Sequence, residues 1–162
     1  MTDFDSRALR TAMGHFSTGI VVATGALDGE PAGFAAQSFV SLSLDPPLIA
    51  LCPGKGSTSW PKLRDSGHFC INMLGAEQKP LCDLFAVSGG NKFADLDWRP
   101  GVTGSPILAG VLAYVDCELH AEHDAGDHTI AVGRIKDFAV LDPNAEPLLF
   151  YRGGYGIFDS LS

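Results

Sequence analysis

The sequence predicts a mainly β protein, a closed antiparallel barrel with few helices, and three observations carry that prediction. Apolar and β-branched residues fall in roughly six or seven short runs at short spacings, and only three stretches have helical periodicity or helix-start chemistry. No GxGxxG follows a strand, so an alternating sheet of the Rossmann kind is not supported. A chain of 162 residues is about one domain long, and a single domain over residues 1–162 is expected.

Phe4, Ala8, Leu9, Ala12, Met13 and Phe16 recur at spacings of three and four, the stripe of an amphipathic helix that Thr2, Asp3 or Asp5 would cap. Residues 19–24 then turn β-branched through Ile20, Val21 and Val22, and Asp28-Gly29 offers a hairpin turn into a second strand at 31–36. Residues 40–44 read as extended, Asp45-Pro46-Pro47 bars a helix, and 48–52 read as a short buried strand. After a Gly-rich loop at 53–56, Ser57, Thr58 and Ser59 are N-cap candidates. Pro61 is tolerated only in a first turn, which sets a short helix at 60–64.

Residues 68–73 fit another strand, 78–85 a short helix, and 87–104 a long loop rich in Gly, Asn and Asp. From 111 to 121 the alternation is clean. Val111, Ala113, Val115, Cys117, Leu119 and Ala121 share one face, and Tyr114, Asp116, Glu118 and His120 share the other, which is expected to be wet. A turn at 124–127 sends the chain back through a second long strand at 128–141, so these two form an antiparallel hairpin. Asp142-Pro143-Asn144 breaks it, a last short strand follows at 148–151, and the chain closes on Tyr155, Ile157 and Phe158. There is no internal repeat and no linker.

Nineteen acidic against eleven basic side chains give a net charge of -8, which repels nucleic-acid phosphates and anionic lipid alike. The first residues have no basic segment leading an apolar one, and no apolar run is long enough to span a bilayer, so neither nucleic acid nor membrane is expected and the location expected is cytoplasmic. Cys52, Cys70, Cys82 and Cys117 form none of the close pairs that zinc ribbons or redox dithiols need; buried reduced thiols are the favoured reading over a catalytic one.

Several segments carry candidate chemistry. The loop 52–59 leaves a buried strand and enters a helix with hydroxyls and Lys55, so it reads equally as a phosphate cradle and as a plain capped turn. Residues 32–41 mix small residues with Gln37, Ser38 and Ser41, which suits either a flat ligand held near the backbone or a strand with a polar outer face. His128 sits at a hairpin tip, as a ligand contact or a solvated turn residue. His120 and His123 fall on opposite faces of a strand, so no metal site is expected. No Ser-His-Asp or paired-carboxylate arrangement stands out, against hydrolytic chemistry.

Taken together, the block from Gly33-Phe34-Ala35-Ala36-Gln37-Ser38-Phe39 through Pro46-Pro47-Leu48, the segment 52–60, and Gly126-Asp127-His128 resemble the flavin reductase components of two-component monooxygenases, over nearly the whole chain. The resemblance implies an antiparallel six- to seven-stranded split β-barrel with a few short peripheral helices, working as a homodimer that binds FMN or FAD. It implies that Gly33 belongs to the flavin site, that Ala36, Gln37, Ser38 and Phe39 flank the isoalloxazine, that Cys52 offers backbone contacts, and that Lys55, Ser57 and Thr58 hold ribityl or phosphate oxygens. Ala86, Lys92 and Phe93 match a further flavin loop of the form F-A-x(5)-K-F. His128 matches a histidine beside the nicotinamide, with Tyr151 and Tyr155 lining the same pocket. Gln37 stands where many relatives have Asn, and Leu84 where an arginine often precedes the Phe-Ala pair.

Hydride transfer from NADH or NADPH to a flavin needs no protein nucleophile, in keeping with the missing triad. The activity implied is therefore an NAD(P)H-dependent flavin reductase supplying a partner monooxygenase. A non-catalytic flavin- or haem-binding barrel and an oxidase of the pyridoxamine-phosphate type are the alternatives. Few arginines near the C-terminal pocket lean the choice toward NADH.

Overall fold

The computed structural model describes residues 4–161, so Thr2 and Asp3 as helix caps lie outside the described residues. Asp5 caps the first helix, α1 (Ser6–Met13), its carboxylate accepting from the Arg7 N–H at 2.9 Å. The apolar stripe is there, but nothing among the described residues covers it. No residue of α1 is buried, and Phe4, Leu9, Met13 and Phe16 are all exposed.

Strand β1 (Thr18–Gly19) leads into β2 (Val21–Leu27) and β3 (Glu30–Ala36). The turn between them places Asp28 and Gly29 at φ 53° and 82°, the paired left-handed residues of a hairpin whose twist matches its strands. Then come β4 (Val40–Leu44), β5 (Pro47–Leu51), α2 (Trp60–Ser66), β6 (His68–Met73), a 3-10 turn (Ala76–Gln78) and α3 (Lys79–Ala86). Strands β7 (Trp98–Pro100), β8 (Pro106–Leu108), β9 (Ala113–Ala125), β10 (His128–Val140), β11 (Leu149–Tyr151) and β12 (Gly154–Gly156) complete the chain.

Seven strands pair antiparallel in the order β3-β2-β6-β9-β10-β5-β4. Laid flat, six gaps of about 4.8 Å would hold the two edges roughly 29 Å apart. The chain nevertheless passes from edge strand β3 to edge strand β4 through Gln37, Ser38 and Phe39 alone, a reach of at most about 14 Å. The sheet must therefore curl until its edges approach, and since β3 and β4 do not pair, the barrel is split along that seam.

Inside the curl, Val21 and Ala23, Ile49 and Leu51, Phe69 and Ile71, Val115 and Cys117, and Ala131 meet Trp60 and Leu63 of α2, which plugs one end. A second cluster packs Val22, Cys82, Phe85, Phe93, Leu108 and Leu148 under α3, outside the barrel. Cys70, Cys82 and Cys117 are buried and Cys52 partly so, all unpaired, and burial pushes the Cys117 thiol up to about 12. That agrees with inert, reduced thiols.

Two expectations need correction. The stretch 87–104 is not all loop, because β7 inside it pairs with β8. That hairpin folds over the supposedly wet face of β9, so Tyr114 and Asp116 are buried while Glu118 and His120 remain exposed. Asp116 accepts from the Thr103 N–H at 2.9 Å and its hydroxyl at 2.6 Å, and the Arg99 guanidinium lies 5.4 Å from the Tyr114 ring centroid. Alternation reveals two faces of a strand; it does not reveal that a distant segment covers the polar one.

Candidate functional site

The site begins at the split seam. The 53–56 loop is stitched to the β9–β10 turn, with the Lys55 N–H donating to the Asp127 carbonyl at 2.9 Å and the Thr129 N–H donating to the Pro53 carbonyl at 3.0 Å. This brings His128 against Gly54, where a Cβ would stand 3.7 Å from the imidazole Nε2. The other ring nitrogen, Nδ1, lies 2.7 Å from the Asp127 carboxylate, which is held below its ordinary range chiefly by that hydrogen bond and also by the imidazole's charge. With Nδ1 engaged, Nε2 is the nitrogen left for a ligand.

Beside this loop lies a hollow of about 300 Å³, lined by Phe34 and Ala35 of β3, Gly54, Gly56 to Ser59, and Phe85 to Ser88 with Lys92, but not by Lys55. Several expected contacts are already engaged within the chain. The Ser57 hydroxyl accepts from the Trp60 N–H at 3.0 Å and the Ser59 N–H at 3.3 Å, so Ser57 supplies the side-chain cap at the start of α2. The Lys55 ammonium pairs with Asp124 across the exposed surface. Ser38 accepts from the Cys52 N–H at 3.0 Å and donates to the Cys52 carbonyl at 3.3 Å, clamping both seam segments together. Thr58 makes no such bond and lines the hollow.

Lys92 is different. It is only 9% exposed, its ammonium has two long carbonyl contacts, to Phe85 at 3.4 Å and Gly33 at 3.5 Å, and no carboxylate among the described residues lies within 4.0 Å. Burial lowers its pKa. A buried cation without a counter-ion is costly unless an anion arrives, so the residues present fit a ligand that ends in a phosphate. Gly33 supports the same spot from below: a Cβ there would meet the Ala23 carbonyl oxygen at 2.8 Å and the Phe85 ring at 3.0 Å.

A second hollow of about 310 Å³ adjoins the first through Thr58, Ser59 and Lys92, and adds Gly33, Lys62, Gly89, Gly90, Asn91 and Phe93. Gln37 and Phe39 instead line an apolar concavity of about 390 Å³ with Phe16, Met73 and Leu148. Ala36 packs on the barrel core, and the Gln37 side-chain oxygen accepts from the Thr18 hydroxyl at 3.1 Å. Tyr151 and Tyr155 line yet another concavity, where the Tyr155 hydroxyl lies 3.7 Å from the Cys82 sulfur and Lys79 sits over its ring. Within one chain they do not join the Lys92 hollow, because the β11–β12 hairpin pairs with β1 rather than with the barrel. Asp127 is a further residue of the His128 corner, and its position beside His128 on a hairpin tip is the local signal for it. Among the described residues no cluster fit to hold a metal ion occurs.

The fold is an antiparallel barrel split along one seam, with a hollow beside it that holds a buried lysine lacking a counter-ion among the described residues. The chain belongs to the flavin reductase like domain family, whose model matches residues 13–159. It is 48% identical over 151 residues to the reductase subunit HsaB of a flavin-dependent monooxygenase from Rhodococcus jostii, covering 93% of this chain and 77% of that protein. It is 42% identical over 154 residues to the FMN reductase (NADH) SmoA of Agrobacterium fabrum, covering 95% and 87%. The crystal structure of nitrilotriacetate monooxygenase component B from Mycobacterium thermoresistibile superposes with a TM-score of 0.92 at 44% identity, covering 96% of this chain and 87% of that one.

Proposed function

We propose that this protein is an NAD(P)H-dependent flavin reductase, moving a hydride from NADH or NADPH to FMN or FAD and passing the reduced flavin to a separate monooxygenase. The observation that carries the reading is the uncompensated Lys92 ammonium at the end of a backbone-lined seam, in a chain whose relatives are named as reductases. A bound flavin supplies the ring nitrogen that accepts the hydride, so no protein nucleophile is needed.

The chain's own residues bind and align. Lys92 and Thr58 hold the phosphate end, while the Ser38–Cys52 clamp keeps the backbone of 36–39 and 52–54 rigid beside the ring. Asp127 orients the His128 imidazole, and its Nε2 steadies the nicotinamide over Gly54. Lys55 is freed for a ligand oxygen by breaking an exposed ion pair that contributes little.

The whole chain acts as one domain and pairs as a homodimer. Support comes from the uncovered apolar face of α1 and from Val40, Leu42 and Leu44 on the edge strand β4, all exposed. Four free cysteines suit a reducing compartment, the cytoplasm. The test is direct: purified protein is mixed with NADH or NADPH and catalytic FMN or FAD, and nicotinamide oxidation is followed by absorbance. Failure to oxidise either nucleotide with either flavin ends the proposal, whereas a tightly held flavin without turnover would make the chain a carrier.

A further inference from the structure

We propose that the concavity between α1 and the β11–β12 turn is a phosphate-binding site, separate from the flavin seam, that takes free phosphate or pyrophosphate or the phosphate group of a small ester.

The concavity holds about 370 Å³, and its walls include Arg7, Arg10 and Arg152. That volume lies at the lower end of the range for small-ligand sites. Half of the chain's six arginines meet there, in a protein whose net charge is -8. Among the described residues no carboxylate lies within 4.0 Å of any of the three. Two elements hold them together: the Arg152 N–H donates to the Gly14 carbonyl at 2.9 Å, which stitches the turn to the end of α1.

Local chemistry does not account for these arginines. The carbonyls at the end of α1 already have donors. Those of Arg10, Ala12 and Met13 accept backbone N–H groups, that of Arg7 accepts the Thr11 hydroxyl, and that of Thr11 accepts the His15 Nδ1–H at 2.8 Å. No arginine is needed as a C-terminal cap. Arg7 is the second residue of α1, at the positive end of the helix dipole, where a cation is disfavoured. Arg152 holds φ 50°, a left-handed turn conformation that Asn or Gly adopts more easily. Two of the three charges thus stand against local preference, and function is where such rules are broken.

Three like charges around one concavity oppose one another until an anion enters, and guanidinium forks match phosphate oxygens in pairs. At about 100° per residue, Arg7 and Arg10 share one side of α1 while Leu9 and Met13 lie on the other, so a partner on the apolar stripe leaves the basic side open. All three arginines are exposed, so salt and water screen them and a modest affinity is expected.

The experiment titrates the purified full chain by calorimetry with inorganic phosphate, pyrophosphate and glycerol phosphate, at constant ionic strength in chloride. The unaltered protein is compared with Arg10→Gln/Arg152→Asn and with Lys92→Met. Asn suits the left-handed turn and Gln the helix, so the double variant should melt no lower than the unaltered protein. Pyrophosphate should bind with a Kd below about 1 mM. Its affinity should fall by about tenfold or more in the double variant and by less than about twofold in Lys92→Met. Tighter binding of inorganic phosphate than of glycerol phosphate, or the reverse, upholds the site and tells the free anion from an ester. No heat from any of the three anions overturns it. So does binding that is lost in Lys92→Met, that FMN or NADH displaces, or that only an oligoglutamate peptide shows; each of these leaves the reductase reading standing.

Discussion

The ammonium of Lys92 lies 3.4 Å from the carbonyl oxygen of Phe85 and 5.7 Å from the centre of the Phe85 ring, so one residue caps the lysine with both its backbone and its side chain. Neither contact neutralises the charge. The lysine is held in a state that an incoming anion would relieve.

Replacing that lysine separates stability from binding. Lys92→Met removes a buried cation that lacks a counter-ion, and the ligand-free protein should be as stable or more so, by about 1 kcal/mol or a rise in Tm of about 2–4 °C. Flavin affinity should fall by about tenfold to a hundredfold, the loss of a charge-assisted hydrogen bond. Thermal melts and flavin fluorescence quenching check the two arms, and a variant that binds flavin normally would remove Lys92 from the site.

The lowered pKa of Lys92 also sets a sign for pH dependence. Between its depressed folded value and the ordinary lysine value, the unfolded chain binds more protons. Ligand-free stability therefore gains from this group as pH rises through that alkaline window. Flavin binding has the opposite trend, weakening as the ammonium deprotonates. Dissociation constants measured across alkaline pH should show the trend in the unaltered protein and lose it in Lys92→Met.

On the far side of Gly54 from Lys92, His128→Ala should raise KM for the nicotinamide by about tenfold while leaving flavin affinity unchanged, since the imidazole packs near Gly54 but does not itself line the hollow that holds Lys92. Asp127→Asn should give a smaller effect of the same kind by loosening the 2.7 Å contact that orients the ring. Steady-state kinetics with each nucleotide varied separately make the distinction.

Asn72 ties the β7–β8 hairpin to the barrel. Its side-chain oxygen accepts from the Leu108 N–H at 2.8 Å, and its amide donates to the Thr24 hydroxyl at 3.0 Å and to the Pro106 carbonyl at 3.3 Å. Asn72→Ala leaves the Leu108 donor buried without a partner and should cost about 2–4 kcal/mol, read from denaturant unfolding.

The uncovered face of α1 predicts an assembly defect. Leu9→Asp with Phe16→Asp should convert a dimer to a monomer in light scattering, with little change to the barrel, because neither side chain is buried within its own chain. A dimer of unchanged mass would move the interface elsewhere.

Local rules account for what was legible in the residues alone. Period-two alternation, the Asp28-Gly29 turn and the Pro61 helix start each act over a few neighbours, and the elements they predict appear near where they put them, whereas the β7–β8 hairpin and β12 carry no such local signal. Among the candidate site residues, Gly33, Ser57, Thr58, Ala86, Lys92 and Phe93 gather around two adjoining hollows. What no local rule contains is who meets whom across the curl: that Asp116 is buried under a hairpin, that Ser38 clamps Cys52, that Tyr155 turns toward Cys82 instead of the seam. The alternating pattern states that a strand has two faces, but closing the sheet into a split barrel decides which distant segment covers each one, and the same closure leaves Lys92 buried without an acid beside it.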